Sequence, residues 1–257
     1  MVAKVKFFDT NRINSQCTFD FTSAEVSRAD IIFDNDNSNR LFSNGSNDST
    51  PEVWEIGFSS AYDITAVAVF NHNIKSGNIQ YFDGADWQDF APRIVWSGND
   101  QPNNYFEFTR VLTRKIRVTM ETTQTPDAEK YVGQLRALNS LGDLEKNPTE
   151  VTPKLNPKDF DYTTANGGSV YGIAGIKYQA TVKFNNTPEA DQTFLVNLKI
   201  RNKPFYFYPC GGTGQTDLTF RLDDMYLVNF TGAVAPKLAG KNLFGIGIDT
   251  SITLKEV

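Results

Sequence analysis

The sequence predicts an all-β protein built of two antiparallel β-domains, and three observations carry that expectation. The first is composition. Among 257 residues there are 20 Phe, 10 Tyr and 3 Trp, types that suit the pleated, half-buried surface of a strand. The second is a period of two. In Lys177–Phe184 the residues Tyr178, Ala180, Val182 and Phe184 fall on one face, with Lys177, Gln179, Thr181 and Lys183 on the other. The third is spacing: short alternating segments follow one another with turn chemistry between them, as at Asp83-Gly84. Regular short strands of this kind indicate an antiparallel sandwich or barrel.

Taken in order, Val5–Phe8 and Thr18–Phe21 open the chain as short strands. The tract from Asp34 to Thr50 is dense in Asn, Asp, Ser and Gly, which favour turns and local side-chain to backbone bonds, so it reads as loop. Strands are expected at Glu52–Phe58, Ile64–Phe70, Gly77–Phe82, Tyr105–Phe108 and Arg114–Met120. Between 141 and 158 apolar residues thin out and Pro148, Pro153 and Pro157 alternate with charges, the composition of a linker. A second strand-rich block, 159–257, holds Ser169–Ala174, Gly175–Phe184, Gln192–Ile200, Pro204–Pro209, Asp217–Leu222, Met225–Phe230 and Leu243–Leu254. The expected domains are therefore 1–140 and 159–257, joined by a Pro-rich connector at 141–158.

Composition removes several function classes. The longest apolar run, Ile64–Phe70, is far short of the roughly 20 residues that cross a bilayer, so no membrane insertion is expected. The N-terminus lacks the apolar core of a signal peptide, which points to synthesis in a cytoplasm, where Cys17 and Cys210 stay reduced. A net charge of −5 without a basic stripe argues against nucleic-acid binding.

Catalytic material is scarce. His72 is the single histidine and follows a strand, where a turn residue is the simpler reading than a triad base. Cys210 and the glycines Gly211-Gly212-Thr213-Gly214 fit a hairpin; the P-loop ending is missing. Asp223 and Asp224 fit a turn better than half of a glycosidase carboxylate pair. No enzyme is expected. The oxygens of Asp34, Asp36, Asn37 and Asn39 could serve calcium, but the EF-hand pattern fails at Asn39 and Gly45, so a solvated turn is preferred and no cofactor other than that calcium is expected. Phe205-Tyr206-Phe207-Tyr208, bracketed by prolines, reads as an edge strand with Phe205 and Phe207 in a core and Tyr206 and Tyr208 at a subunit interface. A sugar-stacking platform is the alternative.

The segments Glu52–Phe58, Ile64–Asn73, Ile79-Gln-Tyr-Phe-Asp-Gly-Ala-Asp-Trp87, Arg114–Val118 and Tyr131-Val-Gly-Gln-Leu-Arg-Ala-Leu138 resemble the discoidin, or galactose-binding-like, jelly roll over roughly residues 30–140. That family has a Trp-bearing strand, an aromatic–Asn/Asp–Gly–x–x–Trp turn and a final Ile-Gly-Glu-Ile-Arg strand. The resemblance implies an N-terminal jelly-roll β-sandwich and ligand-binding loops that would include Asp34, Asp36, Asn37, Asn39, Asp83 and Trp87. Lys199–Pro209, Phe220-Arg-Leu222 and the final strand resemble the C-terminal antiparallel β-barrel of phage tail proteins. Val69–Ile74 is similar to uncharacterised tail and baseplate proteins. These likenesses imply a non-enzymatic structural component of a phage or phage-derived tail tip or baseplate, located in the virion tail and made in the host cytoplasm. Its expected partners are copies of itself in a ring and other tail proteins. The alternative is a carbohydrate-binding adhesin module that meets a host-surface glycan through the jelly-roll loops.

Overall fold

The computed structural model describes residues 5–36, 38–146, 148–163, 169–208, 225–231, 234–242 and 245–257, with side chains described in all of these but 153–178 and 235–248. In chain order the strands are β1 (Lys6–Phe8), β2 (Thr18–Phe21), β3 (Leu41–Phe42), β4 (Glu52–His72), β5 (Ile74–Phe82), β6 (Trp87–Trp96), β7 (Asn104–Thr123) and β8 (Tyr131–Leu138). They continue as β9 (Ser140–Asp143), β10 (Glu150–Thr163), β11 (Ser169–Phe184), β12 (Phe205–Tyr208), β13 (Tyr226–Phe230), β14 (Ala235–Asn242) and β15 (Gly245–Glu256). A 3-10 helix, Val26–Phe33, precedes β3, and helix α1, Glu189–Ile200, precedes β12. Two compact units result, Asp9–Ser140 and a second made of Met1–Phe8 with Leu141–Val257.

The first unit is a jelly-roll β-sandwich, antiparallel in the order β3-β8-β4-β7-β5-β6 with β2 added to β4. Its spine is β4. Over Glu52–Phe58 inward and partly exposed positions alternate, and Trp54 and Ile56 are fully buried. From Ala66 to Phe70 every residue is buried, as expected of a continuous apolar run covered on both faces. The two expected strands 52–58 and 64–70 are thus one, and a register shift against β7 between Gly57 and Tyr62 separates their pairing. The expected 105–108 and 114–120 are likewise joined in β7. Such irregularities bend a strand and re-aim its side chains, which lets one ladder close around one core.

The second unit is an antiparallel sheet in the order β10-β11-β15-β13-β12-β1-β9, with β14 on β15. Phe7, Val182, Phe184, Phe205, Phe207, Val228 and Leu254 form its core together with Leu195 and Leu198 of α1. Four expectations change here. The opening strand β1 belongs to this unit: Lys6 lies opposite Tyr208 and Phe8 opposite Tyr206. Its Phe7 ring packs 5.4 Å from Phe194 and 5.7 Å from Phe207. Glu150–Thr163 is strand where a linker was expected. Pro153 and Pro157 are compatible with the place of β10 at the end of the sheet order, since an edge strand turns alternate N–H groups away from its one neighbour. Gln192–Ile200 is helix where a strand was expected: Asp191, Leu195 and Leu198 are buried at helical spacing. Acidic Glu189 and Asp191 in the first turn and Lys199 in the last complement the helix dipole. Finally, β12 is an interior strand, paired by both β1 and β13, and Tyr206 and Tyr208 are only 2 % and 9 % exposed. Neither ring offers a free face to a second copy. Among the described residues no helix is long and apolar enough to cross a membrane.

Candidate functional site

The residues singled out from the sequence lie at two separate places on the jelly roll. Gln134, which meets Asp34, is opposite Phe70 of β4. Asp83 follows the end of β5, where Tyr81 is opposite Ile116 and Ile116 opposite Ile56, near the other end of β4. The structure does not bring them together.

At the first place the loop oxygens are already satisfied. Asp34 Oδ1 accepts the Asp36 N–H at 2.8 Å and the Gln134 amide at 2.6 Å, and Asp34 Oδ2 accepts the Asn39 amide at 2.9 Å. Asp36 accepts the Ser38 hydroxyl and N–H, which hold its carboxyl below the usual range. The Gln134 Nε2 also donates to the carbonyls of Ile31 (2.7 Å) and Asp36 (3.2 Å). Its orientation is fixed because Gln134 Oε1 accepts the Asn35 N–H at 3.1 Å. An amide nitrogen, a donor, therefore lies where three oxygens converge. In this arrangement those three oxygens face a donor instead of a cation. Asn37 lies outside the described residues, as do Cys210, Gly211–Gly214, Asp223 and Asp224.

At the second place the structure forms a cleft. Asp83 caps the hairpin turn: Oδ1 accepts the N–H groups of Ala85 (2.8 Å) and Asp86 (2.9 Å), and Oδ2 the Gln88 amide (3.0 Å). The backbone bonds from Asp86 and Ala85 hold its carboxyl below the ordinary value. Trp87 faces Phe82 across the hairpin, ring centroids 5.5 Å apart, and the Arg117 guanidinium stacks 4.5 Å from the Trp87 centroid. Beside this turn lies a cleft of about 360 Å³ lined by Phe82, Asp83, Leu112, Thr113, Arg114 and Lys115, with Ala61 and Gly84 too small to fill it.

The floor is held by Thr113, 2 % exposed, whose hydroxyl lies 2.8 Å from the carbonyls of Phe82 and Lys115 and accepts the Lys115 N–H. That ties β7 to the end of β5 and leaves Leu112 projecting, 64 % exposed. The Lys115 ammonium stands 5.7 Å from the Phe82 ring, and Arg114 is exposed. An apolar strip, Phe82 with Leu112, is thus flanked by two cations that can donate hydrogen bonds. This suits a ligand with a C–H face and many oxygens.

His72 belongs to neither place. It is fully buried, and its Nδ1 accepts the Ile74 N–H at 3.0 Å, so Nε2 carries the proton and donates to Asn104 Oδ1 at 2.7 Å. Burial, opposed by that bond, pushes its pKa down to about 4. A neutral, enclosed imidazole with both nitrogens engaged is a structural group. The Cys17 thiol is half-buried, raised by burial, and donates to the Arg12 carbonyl.

Of the residues singled out from the sequence, Asp83 lines this cleft and Trp87 does not, while Phe82, Leu112, Arg114 and Lys115, which do line it, were not singled out. The available signal was the lost alternation in Val111-Leu-Thr-Arg-Lys115, where neither face stays apolar.

No family model matches the chain, and no curated protein matches it in sequence. Several solved structures match in fold. A mutant of chitosan-binding module 1 from a Paenibacillus sp. IK-5 chitosanase/glucanase is 16 % identical, with a TM-score of 0.44 over 51 % of this chain and 99 % of that one. The family 32 carbohydrate-binding module of C. perfringens NanJ, in complex with galactose, is 16 % identical, with a TM-score of 0.41 over 52 % and 99 %. A pectin-binding carbohydrate-binding module is 18 % identical, with a TM-score of 0.39 over 52 % and 94 %. Each of these three neighbours is a carbohydrate-binding or chitosan-binding module.

Proposed function

We propose that the Asp9–Ser140 unit is a non-catalytic glycan-binding module, of the kind an adhesin carries, and that the cleft between the β5–β6 turn and Leu112 is its binding site. One observation carries this reading: an apolar strip of half-buried Phe82 and exposed Leu112 lies beside Arg114 and Lys115, which form no ion pair among the described residues, in a cleft whose lining contains no histidine or cysteine. A pyranose presents a C–H face to such a strip and hydroxyl oxygens to such donors. The carbohydrate-binding neighbours are consistent with this reading, although at their level of likeness only the fold is shared. The tail-ring reading loses the surface it rested on, since Tyr206, Tyr208 and the β1 arm are enclosed in the chain's own sheet.

The test is affinity electrophoresis of the full chain in gels containing plant, bacterial and host polysaccharides, with Leu112→Ala as the variant. Leu112 is mostly solvent-exposed, so its truncation leaves the fold intact. Retardation by at least one polysaccharide, weakened several-fold in Leu112→Ala, is the expected result. Retardation by none would end the proposal.

A further inference from the structure

We infer that the sugar taken by this cleft carries a carboxylate; the inference rests on the glycan reading above and narrows it to acidic saccharides such as uronic acids. The chain has a net charge of −5, yet the cleft's lining runs against that bias, with Arg114 and Lys115 against the single carboxylate of Asp83. That carboxylate is committed, because its two oxygens accept two backbone N–H groups of its own turn and the side-chain amide of Gln88 on β6. Nearby cations have partners: Arg110 pairs with Asp63 at 3.6 Å, Arg93 with Asp89 at 3.0 Å, and Arg117 with Glu55 at 3.9 Å and with Gln80. Arg114 and Lys115 form no ion pair among the described residues, and both side chains are exposed.

Their placement goes with an irregularity in the pairing of β7 with β4. Along a regular strand neighbouring side chains point to opposite faces. From Thr113 to Ile116 the exposure instead runs buried, exposed, exposed, buried across the register shift against β4, where Arg114 lies between the Gly57–Lys115 and Tyr62–Thr113 pairs and the extra residues are those of β4, so two consecutive cations line one cleft. Two like charges held side by side without a counter-ion repel, and an anion placed between them relieves that repulsion. A guanidinium fork matches a carboxylate bidentately, while the ammonium near the Phe82 ring supplies a second charge at the edge of the apolar strip. A uronate sugar offers both the carboxylate for the cations and a C–H face for Phe82 and Leu112.

The experiment compares three probes on the full chain by calorimetry or affinity electrophoresis: polygalacturonate, the same polymer with its carboxyls methyl-esterified, and a neutral galactan. The expected result is binding of polygalacturonate, at least tenfold weaker after esterification and at least tenfold weaker in Arg114→Ala/Lys115→Ala, since each charged hydrogen bond is worth roughly a factor of ten. Both substituted residues are exposed, and an unchanged melting temperature checks that the fold is kept. Equal binding of the esterified and free polymers, or binding of galactan alone, lost in Leu112→Ala, would overturn the carboxylate inference and leave the glycan reading standing. Binding of none of the three, together with no retardation by any other polysaccharide, would overturn both.

Discussion

His72 illustrates how a residue type associated with chemistry can be wholly absorbed by structure. Its ring is enclosed against Trp96, centroids 5.6 Å apart, and Trp96 Nε1 donates to the same Asn104 oxygen that accepts the imidazole proton. Protonating the ring would place a charge in this enclosure and deprive the Ile74 N–H of its acceptor, which explains a pKa near 4. The sign of the effect on stability follows. Below the ordinary value of 6.5 the unfolded chain takes up a proton that the folded chain refuses, so stability falls as pH drops from about 6.5 to about 4. At roughly 1.4 kcal/mol per pH unit the loss approaches about 3 kcal/mol across that window. In His72→Gln, which cannot titrate, the urea-unfolding free energy should fall less steeply over the same pH range than in the parent chain. Parallel slopes would show that His72 does not carry the effect. The sequence alone showed one histidine after a strand; its enclosure depends on Trp96 and Asn104, which lie far along the chain.

Strands were largely legible from alternation, because a period of two is a local property. What was not legible depended on partners. Phe194, Val196, Leu198 and Ile200 alternate as a strand would, and only the burial of Leu195 and Leu198 against the second unit's sheet reveals α1. The prolines of β10 looked like linker until its position at the end of the sheet order gave them a place. Between β8 and the loop after the 3-10 helix, the Gln134 amide does the joining that a cation could do, contacting oxygens of Ile31, Asp34 and Asp36. Gln134→Glu would replace those donors with a carboxylate facing three oxygens. It should lower stability by about 1–3 kcal/mol, the usual cost of a buried hydrogen-bonding group left without its partner. It would also leave four converging oxygens, two of them charged, which is the start of a calcium site. Calcium should therefore raise the melting temperature of Gln134→Glu and leave that of the parent unchanged. A parent protein stabilised by micromolar calcium would contradict this account of the loop.

At the scale of the whole chain the least legible feature is the order of the units: the jelly roll lies inside the sequence of the second unit, whose first strand precedes it. A linear reading divides the chain once, near residue 140, and misses that β1 returns to pair with β12, because nothing in Lys6-Phe-Phe8 names a partner some two hundred positions away. The jelly roll is closed on itself. Its core runs from Ile13 to Ala137, and its ends meet where the Asp9 N–H bonds the Asn139 carbonyl at 2.9 Å and the Arg12 N–H that of Ala137 at 3.0 Å. A fragment of residues 9–140 should therefore unfold cooperatively on its own and keep the cleft. The second unit is not closed without its opening strand. Removing residues 1–8 exposes one side of β12 and takes from the core a Phe7 that is fully buried among Phe194, Phe205 and Phe207. Loss of a buried Phe alone costs about 3–5 kcal/mol, a large fraction of the stability of a domain this size. A fragment of residues 141–257 should accordingly fail to fold cooperatively, and a peptide of residues 1–8 supplied in excess should restore a melting transition. A fragment 141–257 that melts sharply without the peptide would show that β1 is an accessory to that sheet and not a part of its core.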